Sequence, residues 1–132
     1  MRYMEIKIHI NKKFYYRVYI FLQKRSMYKF RDNLVKDGAR LMKKPHRYLA
    51  CCSVWHSKKD KNQWGVLVFT KSSAKKAGIV SHEFCHATNY WFAYQKKNNI
   101  YKQCDEAFAL LLGNLVKEYW NAWYTLPKRY RQ

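Results

Sequence analysis

The sequence predicts an α+β domain: a small mixed or antiparallel β-sheet followed by two long C-terminal helices. Two observations carry that expectation. Apolar and polar residues alternate at period two in two N-terminal stretches, with two compact β-branched and aromatic runs after Pro45, and residues 71–97 and 105–124 read as long helices. Strands with one helix come first and the paired helices last, the order of an α+β chain rather than of alternating βαβ units.

"YMEIKIHI" at 3–10 and "FYYRVYIF" at 14–21 alternate as half-buried strands do, and "NKK" at 11–13 suits the turn between them. Residues 27–43, "MYKFRDNLVKDGARLMK", place Phe30, Leu34, Val35 and Leu41 at helical spacing, which predicts a basic helix containing Gly38. "YLACCSVW" and "QWGVLVFT", separated by the polar "HSKKDKN", predict a second strand pair. "KSSAKK" at 71–76 reads as a helix start capped by Ser72 or Ser73, the helix continuing to about Lys97. A last helix is expected from Asp105 to about Tyr124, before Pro127. No linker, repeat or low-complexity tract interrupts the chain, so a single domain over 1–132 is expected, with strands and one basic helix in 1–70.

Apolar residues make up 48% of the 132 residues and aromatics 18%, which excludes intrinsic disorder and supports a packed core. The charge is the unusual quantity: 27 Lys and Arg against 8 acids give +19. Such a field favours nucleic acid, anionic surfaces or acidic proteins as partners. Basic residues interleave with Tyr and Phe in the N-terminal third, a pattern shared by single-strand binders and by ordinary solvated exteriors. No stretch is long and apolar enough to span a bilayer, so no membrane partner is expected. "MRYMEIKIHINKKF" has no apolar run of leader length. The four cysteines include the adjacent Cys51 and Cys52 and form no CxxC pair. A reduced, intracellular protein without a zinc knuckle is the expectation.

The chemistry concentrates in "GIVSHEFCHATNYW" at 78–91. His82 and His86 are four apart, so on a helix they share one face about one turn apart and both imidazoles can grip one metal ion. At 100° per residue Glu83, Asn89, Tyr90 and Ala93 fall on their side, with Phe84, Thr88, Trp91 and Phe92 opposite. A catalytic zinc takes three protein ligands. No histidine follows His86, while His9, His46 and His56 lie upstream in expected strands or loops, which leaves the downstream carboxylates Asp105, Glu106 and Glu118. Glu106 is favoured, with Asp105 a distant second. It opens the last helix 20 residues after His86, and it shares a face with Ala109, Leu110 and Gly113, whose small members would let the two helices approach closely. The acidic pair also suits the positive end of a helix dipole, a role that needs no metal. Cys85 inside the motif and Cys104 before the acidic pair stand near the expected metal in sequence.

"HEFCH" followed by "DEAFA" resembles the gluzincin branch of the zincin metallopeptidases, and "HEFCHATNYW" with "DEAFALLLGNL" also resembles short zincin-like proteins encoded by bacteriophages. The resemblance spans residues 72–120. It implies a minimal zincin-like domain, a Zn2+ cofactor on His82, His86 and Glu106, and Glu83 as the general base that activates water to hydrolyse a peptide bond. It further implies a peptide or protein substrate, laid by strand addition along an edge strand for which "WGVLVFT" is the expected candidate. For a phage-encoded protein the expected location is the cytoplasm of the bacterial host or the virion. Tyr90, Tyr101 and Tyr119 are candidates to stabilise the oxyanion. Two rival readings come from other classes: a non-catalytic, basic structural or virion-associated protein on a zincin fold, and a nucleic-acid-binding protein in which the motif is incidental.

Overall fold

The computed structural model describes residues 2–37, 40–41, 50–54, 59–97 and 105–132. In chain order it contains β1 (Tyr3–His9), β2 (Tyr15–Phe21), α1 (Lys24–Lys36), β3 (Arg40–Leu41), β4 (Ala50–Val54), β5 (Gln63–Thr70), α2 (Lys71–Ala74), α3 (Ala77–Lys97), α4 (Asp105–Trp123) and α5 (Lys128–Arg131). The strands form one sheet in the order β1-β2-β5-β4-β3. Only β2 and β5 run parallel, so the sheet is mixed and the chain is α+β, as expected.

The first hairpin closes where the sequence puts its turn. Asn11 Oδ1 accepts from the backbone N–H groups of Lys13 at 2.9 Å and Phe14 at 2.8 Å, and Ile10 N–H donates to the Phe14 carbonyl at 2.9 Å. An asparagine side chain that mimics a backbone turn in this way favours a short, fixed connection. The expected second strand pair is β4 against β5, antiparallel. β5, however, is central. It is flanked by β2 and β4 and all eight of its residues are buried, which overturns the expectation that it offers a free edge to substrate. Its unbroken apolar run belongs to a strand covered on both faces.

Side chains on the two faces of the sheet enter different cores. Ile8, Tyr16, Val18, Ile20, Leu67 and Phe69 pack with residues of α3 and α4, whereas Tyr19, Phe21, Val66 and Val68 pack with Met27 and Leu34 of α1. The basic helix is therefore a lid on one face, and the long C-terminal helices cover the other. Helix α1 starts three residues before the expected position and is closed by the Asp37 N–H, which donates to the Asn33 carbonyl at 3.0 Å. Arg40 and Leu41, expected in that helix, instead form β3 against β4. A glycine next in sequence opposes continuation by about 1 kcal/mol; Gly38 itself lies outside the described residues.

The expected single helix over 71–97 is two. Thr70, the last residue of β5, caps α2 through Oγ1, which accepts from Ser73 N–H at 3.2 Å. Ser73 is fully buried inside that turn, with its hydroxyl 3.0 Å from Thr70 Oγ1, so neither it nor Ser72 is the cap. The turn ends with the Lys76 N–H on the Ser73 carbonyl, and α3 begins at Ala77. Helix α4 runs antiparallel to α3, because Phe84 meets Tyr119 and Phe92 meets Phe108, with ring centroids 5.7 and 5.8 Å apart. No helix among the described residues is long and apolar enough to cross a membrane.

A candidate metal centre on helix α3

The position of α3 follows from its buried arc. Val80, Phe84, Ala87, Thr88, Trp91 and Phe92 recur at three- and four-residue spacing and are buried against the sheet and α4. One polar contact ties this arc to the sheet, Tyr16 Oη donating to the Ala87 carbonyl at 2.7 Å, and within the helix the buried Thr88 Oγ1 donates to the Phe84 carbonyl at 2.7 Å. Trp64 of β5 meets the Trp91 ring edge-on at 5.0 Å. The side opposite this arc is fixed by the same geometry, and it carries the histidines.

His82 is exposed and His86 half-buried on that outer side. Their Nε2 atoms stand 3.0 Å apart and their rings are nearly perpendicular, at 87°. Two zinc–nitrogen bonds at a tetrahedral angle span roughly 3.3 Å between nitrogens. The pair would therefore need to open by only a few tenths of an ångström to share one ion. Glu83 departs from the expected face. It lies on the flank of the buried arc with 8% exposure, and it is the one buried carboxylate among the described residues. The motif thus sets two converging nitrogen donors on the outer side and a buried acid on the flank of the inner arc.

Glu106 is not brought to this pair. The face of α4 that carries Glu106, Ala109, Leu110 and Gly113 is turned to solvent, with Leu110 59% exposed, and a methyl group at Gly113 would meet no atom within 4 Å. The close approach expected from the small residues does not occur. Phe108, Leu111, Leu112, Leu115 and Tyr119 occupy the inward face instead, because they bury far more apolar surface than an Ala/Gly stripe can. The ring pairs between the helices also set the register: the first turn of α4 lies beside Phe92 and its neighbours. His86 is about two turns away along α3, roughly 9–12 Å at 1.5 Å per residue.

Among the described residues no group of three or more His, Cys, Asp or Glu could hold a metal ion. Cys104, His46, His56 and the Asp105 side chain lie outside those residues. Cys85 is a half-buried free thiol whose Sγ is 3.9 Å from Asn89 Nδ2.

Of the oxyanion candidates, Tyr119 is fully buried and donates to the Ala74 carbonyl at 2.6 Å; burial pushes its phenol pKa up, so it remains a donor. That is a packing and anchoring role. Tyr90 is half-buried on α3, and Tyr101 lies outside the described residues. Tyr16 escaped the sequence reading because an inward tyrosine in an apolar strand carries no mark of the carbonyl it will meet. No family model, curated protein or solved structure matches the chain.

Proposed function

We propose that the chain is a zinc-dependent metallopeptidase in which His82 and His86 hold the metal and Glu83 is the general base. The observation that carries this reading is the convergence of the two Nε2 atoms, 3.0 Å apart, with Glu83, next in sequence to His82, only 8% exposed. A zinc ion held there supplies Lewis-acid polarisation of a carbonyl and lowers the pKa of water. The chain's own part is to present two imidazole nitrogens and to receive a proton at Glu83, whose burial shields it from bulk water. Glu106 lies on the solvent-facing side of α4 and forms no three-donor group with the pair among the described residues.

Elemental analysis of protein purified without chelator tests the metal. One zinc per chain is expected for the wild type and none for His82→Ala/His86→Ala; equal zinc in both would refute the site. Glu83→Gln is expected to keep the zinc and lose hydrolysis of a peptide library, and retained hydrolysis would remove Glu83 from the chemistry.

The solvent-facing position of Glu106 favours a second reading, a metal-binding protein without turnover. Zinc in the wild type with no hydrolysis of any peptide would select it.

A further inference from the structure

Among the described residues β1 forms a long edge of the sheet with no further strand beside it, on the side away from the strand β4 that neighbours α3. Ile10 pairs with Phe14 through the hairpin hydrogen bond, and the register continues as Ile8↔Tyr16, Ile6↔Val18 and Met4↔Ile20. In an antiparallel pair these even-numbered residues spend their backbone groups on β2, so the N–H and C=O groups of Tyr3, Glu5, Lys7 and His9 point outward. Of these, only the His9 N–H has a partner among the described residues: it donates to Glu118 Oε2 at 3.2 Å. An exposed row of unpaired backbone groups is a template for another strand.

The edge leads into a cleft of about 620 Å³. Asn11 and Lys12 line it from the hairpin, and Asn114, Lys117, Glu118 and Asn121 line it from α4. The four α4 residues fall at i, i+3, i+4 and i+7, so they form one polar stripe running past the end of the strand. The charges along this track are cationic. Lys12 is exposed on the turn and Lys117 lines the cleft with it from α4, while Lys7, exposed on the strand, lies over the Tyr15 ring at 4.6 Å on the other face of the sheet. The two acids nearby are engaged, Glu5 by Arg17 and Glu118 by the His9 N–H. Among the described residues Glu118 is the single carboxylate lining the cleft. Pairing of two copies through this edge would bring two chains of charge +19 together.

We propose that the β1 edge and the adjoining cleft bind an acidic protein segment in extended conformation, which adds as a strand beside β1 and places carboxylates between Lys12 and Lys117. Backbone pairing supplies the geometry and the lysines select the charge. This surface is independent of the His82–His86 pair, so a protein without zinc or hydrolysis would still bind through it.

Fluorescence anisotropy with a labelled peptide of alternating Glu and Val tests it. The control is the same peptide N-methylated on the alternate amides that would face β1, which keeps every charge and removes the donors. Wild-type protein is expected to bind the first peptide and to bind the second about tenfold more weakly, the loss of roughly 1.4 kcal/mol. Lys12→Glu/Lys117→Glu is expected to weaken the unmodified peptide by at least a similar factor, and Glu118→Gln to tighten it. Lys7→Pro removes an outward N–H while sparing the β1–β2 ladder, and it should mimic N-methylation of the peptide. Three results would overturn the proposal: no binding of the unmodified peptide, equal affinity for the two peptides, or self-association that Lys7→Pro abolishes. Equal peptide affinities together with tighter binding of a single-stranded oligonucleotide would assign the basic track to nucleic acid instead.

Discussion

The phenol of Tyr16, on β2, donates a hydrogen bond of 2.7 Å to the carbonyl of Ala87 on α3, one residue beyond His86. Both residues are fully buried, so this bond pins the motif helix to the sheet at the level of the proposed metal. Its removal in Tyr16→Phe leaves the aromatic packing in place and takes away only the donor. A stability loss of about 1–2 kcal/mol in urea denaturation is expected. Because α3 is loosened beside His86, zinc affinity should fall as well. Unchanged stability would show that the helix is held by apolar contacts alone.

The orientation of α4 makes an expectation opposite to the one drawn from sequence. Glu106 faces solvent and the register places it about two turns from His86 along α3. Glu106→Ala should therefore leave zinc content unchanged and, at an exposed position, alter stability by less than about 0.5 kcal/mol. Loss of zinc from this variant, measured beside His82→Ala, would restore Glu106 as a ligand.

Gly113 sits inside α4, where a methyl group meets nothing within 4 Å. Glycine in a helix interior costs about 1 kcal/mol relative to alanine through backbone entropy. Gly113→Ala is thus expected to stabilise the protein by about that amount, seen as a higher Tm. A destabilised variant would mean that something packs closely on this face after all.

Much of this architecture was legible because its signals are local. The alternation in "YMEIKIHI" and "FYYRVYIF" yields a paired hairpin, and the apolar positions from Phe108 to Trp123 yield α4 with its N-terminus where Asp105 marks it. The His82–His86 spacing is likewise local, and the pair converges as a helix requires. What failed depends on distant choices. Whether α4 turns its small face or its Leu and aromatic face inward is decided by total buried area, and the larger face wins. β5 looked the same in sequence whether central or at an edge; its place is settled by parallel pairing with β2, whose partners in register, from Tyr15↔Gln63 to Phe21↔Thr70, are distant in sequence. The Thr70 cap escaped notice because Thr70 also reads as the last residue of a strand.

Asp60 supplies the clearest dependence on pH. Its carboxylate accepts from the Tyr15 hydroxyl and from the Asn62 N–H at 2.9 Å, and these donors, Tyr15 first, hold its pKa below the ordinary carboxylate range. Both bonds favour the charged form, so the folded protein takes up this proton less readily than the unfolded chain does. The stabilisation is complete above the unfolded value of about 4 and is lost as pH falls through the depressed folded value. Tyr15 responds in the opposite sense: burial and the bond to Asp60 raise its phenol pKa, which keeps it a donor through neutral pH. Asp60→Asn should therefore flatten the acid limb of a plot of urea-unfolding stability against pH, with the difference from wild type largest near neutrality and vanishing at the acid end. A constant offset between the two curves would mean that the residue acts through packing and turn geometry, with no contribution from its charge.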